Sequence, residues 1–360
     1  MINKKTPFFT ISKSVCLEQF DKVRELADIV SYSSKTNPDV TKILEENRDC
    51  MFSIHTIYEL KNIKDYSRIL FLAQGLSSEL LEDLIVKKNI NWFVIDNESD
   101  LDILLNFISK KELKNKINLL LRFKLKEYSI RTERYYVFGM RSKVIKKRVD
   151  DIVKSDIYKK VGYLGIHFHR KTQNISEWNL KYDLENSFDE DFFNKIDIIN
   201  IGGGLPSIYA NTNNYNIFNS IFNKVMEFKK WLNSNNIKLM IEPGRFIAAP
   251  AGKLYTKIIG IDENTIIVDA SVYNGDLDAL IVPVKLLVEG EHSKSDFGKV
   301  DNLKMYTIKG CTPCSMDIFR YRVYLKTKKV GDIITFINAG AYNFYSDFCD
   351  LEKLKTYIVN

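Results

Sequence analysis

Eight short apolar runs recur along the first two-thirds of this 360-residue chain, at residues 29–34, 51–54, 69–73, 92–96, 117–123, 163–169, 196–201 and 238–242. Each has the length of a buried strand and is too short for an ordinary helix. Helical periodicity fills much of the sequence between them. Residues 40–47 follow the opening signal Pro38-Asp39, and 77–88 place Leu80, Leu81, Leu84 and Ile85 on one stripe. Residues 99–109 repeat Leu101, Leu104 and Leu105, and 217–233 carry Ile217, Ile221, Val225, Phe228 and Leu232. Strand–helix alternation of this kind predicts an α/β fold, a TIM-like (β/α)8 barrel. The carboxyl ends of such strands open on one face, so residues distant in sequence converge there. At or just past those ends stand Lys35, Arg122, His169, Gly202-Gly203-Gly204 and Glu242.

The texture changes after Gly244. Runs at 265–269, 281–288, 305–309 and 332–338 are β-rich and are separated by Gly, Asp and Asn, which predicts a C-terminal antiparallel β domain. Residues 7–12, with Phe8, Phe9 and Ile11, read as a strand that joins that domain before the chain enters the barrel. The expected divisions are 1–27 for the lead-in, 28–246 for the barrel and 247–360 for the β domain. The tail after Leu351 is compatible with an ordered or a frayed end.

Composition excludes several classes. At 45% hydrophobic and 28% charged the chain reads as globular, and no run approaches the ~18 apolar residues of a membrane span. Residues 1–10 lack the apolar stretch of a signal peptide, so the cytoplasm is the expected location. The net charge of +7 comes from lysines spread along the chain. The basic run 141–148 is punctuated by Val144 and Ile145, which suits the wet face of an amphipathic helix better than a nucleic-acid contact. Five cysteines, an odd number, argue against a disulfide framework. Cys311 and Cys314 form a Cys-x-x-Cys without the second pair that tetrahedral zinc needs, so no metal is expected.

Taken singly, the residues at the strand ends have ordinary explanations. Lys35 in Tyr32-Ser33-Ser34-Lys35-Thr36-Asn37 reads as a solvated lysine. Gly202-Gly203-Gly204 reads either as a tight turn or as a nest of backbone amides suited to phosphate. Glu242 and Arg245, in Glu242-Pro243-Gly244-Arg245, read as a surface ion pair. Phosphate binding after the seventh and eighth strands is, however, the recurrent arrangement of these barrels.

Together the blocks resemble those of the fold-type-III pyridoxal-phosphate decarboxylases, the family of ornithine, diaminopimelate and carboxynorspermidine decarboxylases. The similarity runs from about residue 8 to residue 345. It implies pyridoxal 5'-phosphate as cofactor and Lys35 as the lysine that forms its Schiff base. It gives Gly202, Gly203, Gly204, Arg245 and Tyr342 phosphate contacts, the last through Gly340-Ala341-Tyr342. Glu242 matches the carboxylate that holds the pyridine nitrogen, and such a partner favours the protonated ring that acts as electron sink. His169 matches the histidine stacked on the ring, with His167 as support one layer deeper. Arg122 matches an arginine beside the phenolic side. Val137-Phe138-Gly139-Met140 resembles a Lys-Phe-Gly element whose lysine is Val137 here.

A family cysteine supplies a proton across a dimer interface, and here two thiols compete for that role. In Gly310-Cys311-Thr312-Pro313-Cys314-Ser315-Met316-Asp317, a gapless alignment puts the family cysteine on Pro313. Cys314, one place away, is favoured over Cys311, and both also read as ordinary thiols. Asp317 matches an acid that helps recognise a distal amine, and Tyr273 falls in a substrate-side segment. In His169-Arg170-Lys171-Thr172, Thr172 can keep a hydroxyl near the phosphate, while Arg170 and Lys171 suit a second carboxylate or phosphate on a larger substrate. Ser53, near His55 and Glu59, stands where the family presents an acid. The resemblance thus implies a homodimeric decarboxylase with shared sites. Its substrate would be a small amino acid with a polar distal end: a carboxylated polyamine, a diamino acid or an aminocarboxypropyl group on a larger molecule. The alternatives are a racemase of the same fold, or a non-catalytic regulatory homologue.

Overall fold

The computed structural model describes residues 4–125, 137–212, 216–342 and 345–360. The chain divides into two compact units. One comprises Phe20–Pro206 and Asn216–Gly244; the other comprises Met1–Gln19, Ser207–Tyr215 and Arg245–Asn360. The second unit thus takes a short insertion out of the barrel sequence as well as both chain ends.

The chain's first strand, β1 (Phe8–Ser12), belongs to the second unit. The next eight are β2 (Ile29–Ser33), β3 (Met51–Ile54), β4 (Ile69–Ala73), β5 (Trp92–Ile95), β6 (Ile117–Arg122), β7 (Val161–His167), β8 (Ile198–Asn200) and β9 (Lys238–Ile241). They pair in parallel in chain order, and β9 returns to β2 to close the barrel. Leu70, Trp92, Val94, Leu120, Ile198 and Met240 form a buried cluster from five of these strands. Each such side chain, fully buried, contributes about 1.5–3 kcal/mol.

Helix signals in the sequence are used as expected. Asn37 accepts the backbone N–H of Asp39 at 3.0 Å and caps helix Pro38–Asn47, which starts on its proline. Its buried residues Val40, Thr41, Ile43 and Leu44 recur at helical spacing. Residues 77–88 form one helical turn, Ser78–Leu81, that widens into a π-helical stretch, Glu82–Lys87. The basic run opens helix Ser142–Lys154, which buries Ser142, Ile145, Val149 and Ile152 and turns its lysines outward. Lys146 and Arg148 pair there with Asp189 and Asp102. Among the described residues no helix is long and apolar enough to cross a membrane.

The second unit is a mixed eight-stranded sheet. Beyond β1 it contains β10 (Gly252–Asp262), β11 (Thr265–Val268), β12 (Leu287–Val288), β13 (Leu303–Lys309), β14 (Ile318–Lys326), β15 (Ile333–Ile337) and β16 (Lys355–Val359). The main path runs β12-β15-β10-β11-β13-β14, with β1 pairing β10 and β16. The tail is therefore an ordered strand, and Phe8 stacks on Tyr255 of its other neighbour with centroids 4.9 Å apart. Two expectations need correction. The sheet is not wholly antiparallel, because β1–β16 and β11–β13 are parallel pairs. Residues 281–288 do not form one strand: helical turn Asp278–Ile281 precedes a two-residue strand. Pro283 lacks the N–H a ladder needs. The segment around it pairs with the insertion instead, through Asn211 Nδ2 to Pro283 O at 2.8 Å and Ala210 N to Lys285 O at 2.8 Å.

Candidate active site

Lys35 is the exposed residue in an otherwise buried stretch. Ser31, Tyr32, Ser33, Ser34 and Thr36 are all buried around it. The local structure explains the pattern. Tyr32 donates its hydroxyl to Asn37 O at 3.3 Å, and Ser34 shares a 3.0 Å hydrogen bond with Thr41. A single tight turn, Ser34–Thr36, is left between strand and helix. The amine at its apex has no ion-pair partner among the described residues, yet its charge acts on His55, His169 and Glu59. It therefore faces the chemistry of the barrel mouth.

Glu242 follows β9 directly and is buried. His167 Nε2 lies 3.1 Å from Glu242 Oε1, and Asn200 Nδ2 donates to the same oxygen at 2.7 Å. The hydroxyl of Ser53 also donates to the carboxylate and is itself hydrogen-bonded to Ser31 at 2.7 Å. Burial pushes the Glu242 carboxyl up. His167, Ser53 and His55 outweigh it and hold the group down at about 2, so it is ionised. Burial conversely pushes His167 down, which leaves a neutral imidazole despite the pull of Glu242.

Asn200 also ties this carboxylate to the glycine run, because its Oδ1 accepts Gly202 N at 2.8 Å, while Glu242 N donates to Gly202 O at 2.8 Å. Gly202 takes φ +65°, and a Cβ there would stand 2.8 Å from Phe168 O and 3.0 Å from His169 Nδ1. A Cβ on Gly203 would come within 2.7 Å of Glu242 O and 3.8 Å of His169 Cε1. The glycines thus bring bare backbone against His169 and Glu242 at once. His169 is open to solvent but crowded by protein, as a ring lining a concavity must be. That crowding, with neighbouring His167 and the charge of Lys35, pushes its imidazole from 6.5 down to about 3.

Arg122 ends β6 and pairs with Asp96, past the end of β5, at 2.8 Å. Its guanidinium lies 4.8 Å from the centroid of Phe138, and the segment carrying Phe138 is held by Met140 N to Arg122 O at 2.8 Å. Thr172 is half-buried in the loop beyond Phe168. Arg170 differs from the sequence expectation. It is buried, with Nη1 donating to Glu177 O and Nη2 paired with Asp183. Its charge holds this loop together; Lys171 is the accessible cation of the pair.

The second unit has clusters of its own. Arg245 is buried against Asp278 through Nη1 and, at 3.2 Å, Nη2, and it donates to Tyr209 OH at 2.8 Å. The Tyr342 ring lies 4.8 Å from its guanidinium carbon. Arg245 Nε is buried without a partner among the described residues. Cys314 Sγ is 3.0 Å from Tyr273 OH, and that tyrosine stacks on Phe348 at 4.0 Å. The thiol contact pushes the Tyr273 phenol up to about 12. Cys311 is exposed, and burial of part of its side chain pushes its thiol up. Asp317 corrects an expectation. It is buried, and both oxygens are occupied: Oδ1 accepts Val272 N at 2.8 Å, while Oδ2 accepts Thr312 N at 3.0 Å and Thr312 Oγ1 at 2.7 Å. It shapes the cysteine loop, and its burial among these donors leaves it turned to the protein's own backbone.

This combination of a barrel, an exposed strand-end lysine and a buried carboxylate beside a glycine run defines a class. Residues 17–249 match the family described as "pyridoxal-dependent decarboxylase, pyridoxal binding domain", and the chain belongs to that family. Pyridoxal 5'-phosphate is accordingly its cofactor. A relative in Staphylococcus aureus, 2-[(L-alanin-3-ylcarbamoyl)methyl]-2-hydroxybutanedioate decarboxylase, is 25% identical over 217 residues, 54% of this chain and 52% of its own. The chain thus matches about half the length of that curated relative. The diaminopimelate decarboxylase of Helicobacter pylori, solved with L-lysine, aligns at TM-score 0.79 and 19% identity over 99% of this chain and 92% of that one. For the lysine decarboxylase of Selenomonas ruminantium the values are 0.75, 18%, 99% and 93%. A lysine/ornithine decarboxylase of Vibrio vulnificus, complexed with cadaverine, gives 0.77, 17%, 99% and 95%. At these identities the likeness is one of fold.

The barrel residues fit the cofactor: an exposed lysine amine, an ionised carboxylate, and a backbone cradle that any Cβ would fill. Asp96 and Asn200 were not singled out by the sequence reading. Both stand at strand ends, Asn200 two residues before the first glycine, and that position is the signal that marks them.

Proposed function

We propose that this protein is a pyridoxal-phosphate-dependent decarboxylase that removes the α-carboxylate of an amino acid with a polar distal end. The observation that carries the reading is a lysine amine with no ion-pair partner among the described residues and an ionised glutamate at the same end of one barrel. The bound cofactor supplies a sink for the electron pair left by departing CO2. The remaining tasks fall to side chains. Lys35 would hold the cofactor covalently. Glu242 would keep a proton on the ring nitrogen, His169 would cover one face of the ring, and Gly202–Gly204 would admit the phosphate. An ionised Glu242 favours decarboxylation over racemisation, which is served by a weaker sink.

A carboxylated polyamine, a diamino acid or an aminocarboxypropyl-bearing molecule is the proposed substrate class. The substrate named for the Staphylococcus relative, an alanin-3-yl group carried on a larger carboxylate-rich molecule, supports an amino-acid group on a larger molecule, although its chain is one methylene shorter than aminocarboxypropyl. Cys314, with Tyr273 beside it, is proposed as the proton donor in a homodimer with shared sites. Screening these compounds for CO2 release tests the function. Wild-type protein should release CO2 from at least one, and Lys35→Ala should lose both turnover and the visible absorbance of the bound cofactor. Turnover surviving in that variant contradicts the reading. Mixing Lys35→Ala with Cys314→Ala should recover part of the activity if copies share sites; no recovery argues for a self-contained site.

A further inference from the structure

Glu242 collects side-chain donors from three strands: Ser53 on β3, His167 on β7 and Asn200 on β8. They are not equivalent. Asn200 divides its amide between Glu242 and Met240 Sδ at 3.2 Å, and its oxygen serves Gly202 N. Ser53 is shared with Ser31. His167 is 2% exposed, and among the described residues its one side-chain partner is Glu242. Its other ring nitrogen, Nδ1, is buried with no partner among the described residues. A doubly protonated ring would bury an orphan N–H there. A neutral ring with its hydrogen on Nε2 buries only a lone pair, the cheaper defect. The geometry therefore selects one tautomer, a neutral imidazole donating Nε2–H to the carboxylate.

We propose that His167 is a positioning residue: as a neutral Nε2–H donor it keeps Glu242 ionised and aimed, and so sets the protonation of the nitrogen that Glu242 faces in the bound cofactor. The inference rests on the reading that Glu242 meets that nitrogen. Without His167 the carboxylate stays buried but loses a dedicated donor. Burial then draws a proton onto Glu242, and the charge that holds a proton on the ring is lost. His169 lies two residues along on the same chain and covers the ring; His167 acts only through Glu242.

The test uses holoprotein reconstituted with pyridoxal phosphate labelled with 15N in the ring, read by NMR. Wild type should give the signal of a protonated ring nitrogen. His167→Phe should move the signal toward the unprotonated range and lower kcat by about 10- to 100-fold, with KM changed less than about threefold. His167→Gln, which retains an N–H donor, should lie close to wild type in both. If His167→Phe fails to fold, His167→Leu carries the same comparison. Glu242→Gln separates the two levels of the argument. A ring nitrogen still protonated in Glu242→Gln overturns the reading of Glu242 itself. A signal lost in Glu242→Gln but unchanged in His167→Phe overturns the role assigned to His167 alone.

Discussion

Arg245 meets Asp278 through the end of its guanidinium and leaves Nε, on the side edge, buried and without a partner among the described residues. Burial pushes the Asp278 carboxyl up, Arg245 pulls it back, and the two-point contact holds the pair as ions. An arginine fixed in this way offers its remaining edge to an anion without having to reorganise.

That arrangement predicts what removing Asp278 does. Asp278→Ala strands a buried guanidinium and should destabilise the protein by about 3–5 kcal/mol in urea denaturation. Inorganic phosphate should restore more stability to this variant than it adds to wild type, since the stranded cation then has an anion to bind. Equal phosphate effects in the two proteins argue against an anion site at Arg245.

Gly203→Ala tests the cradle. The added Cβ would fall 2.7 Å from Glu242 O, a backbone atom that cannot swing aside. We expect cofactor affinity to fall at least about tenfold, roughly the weight of one lost charge-assisted hydrogen bond. Fluorescence titration of apoprotein measures it. Unchanged affinity would mean that the backbone here does not approach the phosphate.

His55 gives a pH signature. Burial, then the charge of Lys35, pushes its imidazole from 6.5 down to about 3. The unfolded chain takes up that proton near 6.5 and the folded chain does not, so stability falls as pH drops between 6.5 and 3. The slope from this one group is at most about 1.4 kcal/mol per pH unit. Glu242 adds to the loss only below 4.5, as its carboxylate is titrated toward about 2. Asp276, whose buried carboxyl is raised, acts in the opposite sense in the other unit. The difference between wild type and His55→Gln isolates the histidine. Urea midpoints at a series of pH values should fall less steeply for His55→Gln between 6.5 and 4.5, and parallel curves would contradict the assignment.

Much of the barrel was legible in advance because buried parallel strands leave continuous apolar runs. Residues 51–54 and 69–73 coincide with β3 and β4, and the others shift by one or two residues at their ends. The strand-end motif around Lys35 was legible for a related reason: Tyr32 and Asn37 are needed to shape the turn that presents the amine. The β domain was read less well. Apolar residues 281–288 look like a strand until Pro283 is weighed, and parallel pairing such as β1 with β16 depends on contacts some 350 residues apart, beyond any local pattern. Polar roles were hardest. Asp317 and Arg170 carry the charges expected of ligand-reading residues, yet both are spent on their own loops. Asn200 and Asp96 look ordinary in sequence and acquire their roles only from the neighbouring strand.

The most direct measurement fixes the cofactor where it is held. Reducing the holoprotein with borohydride and mapping its peptides by mass spectrometry should find the phosphopyridoxyl group on the peptide containing Lys35, and none in Lys35→Ala. A label carried by any other lysine, or bound cofactor that borohydride cannot attach at all, would contradict the account.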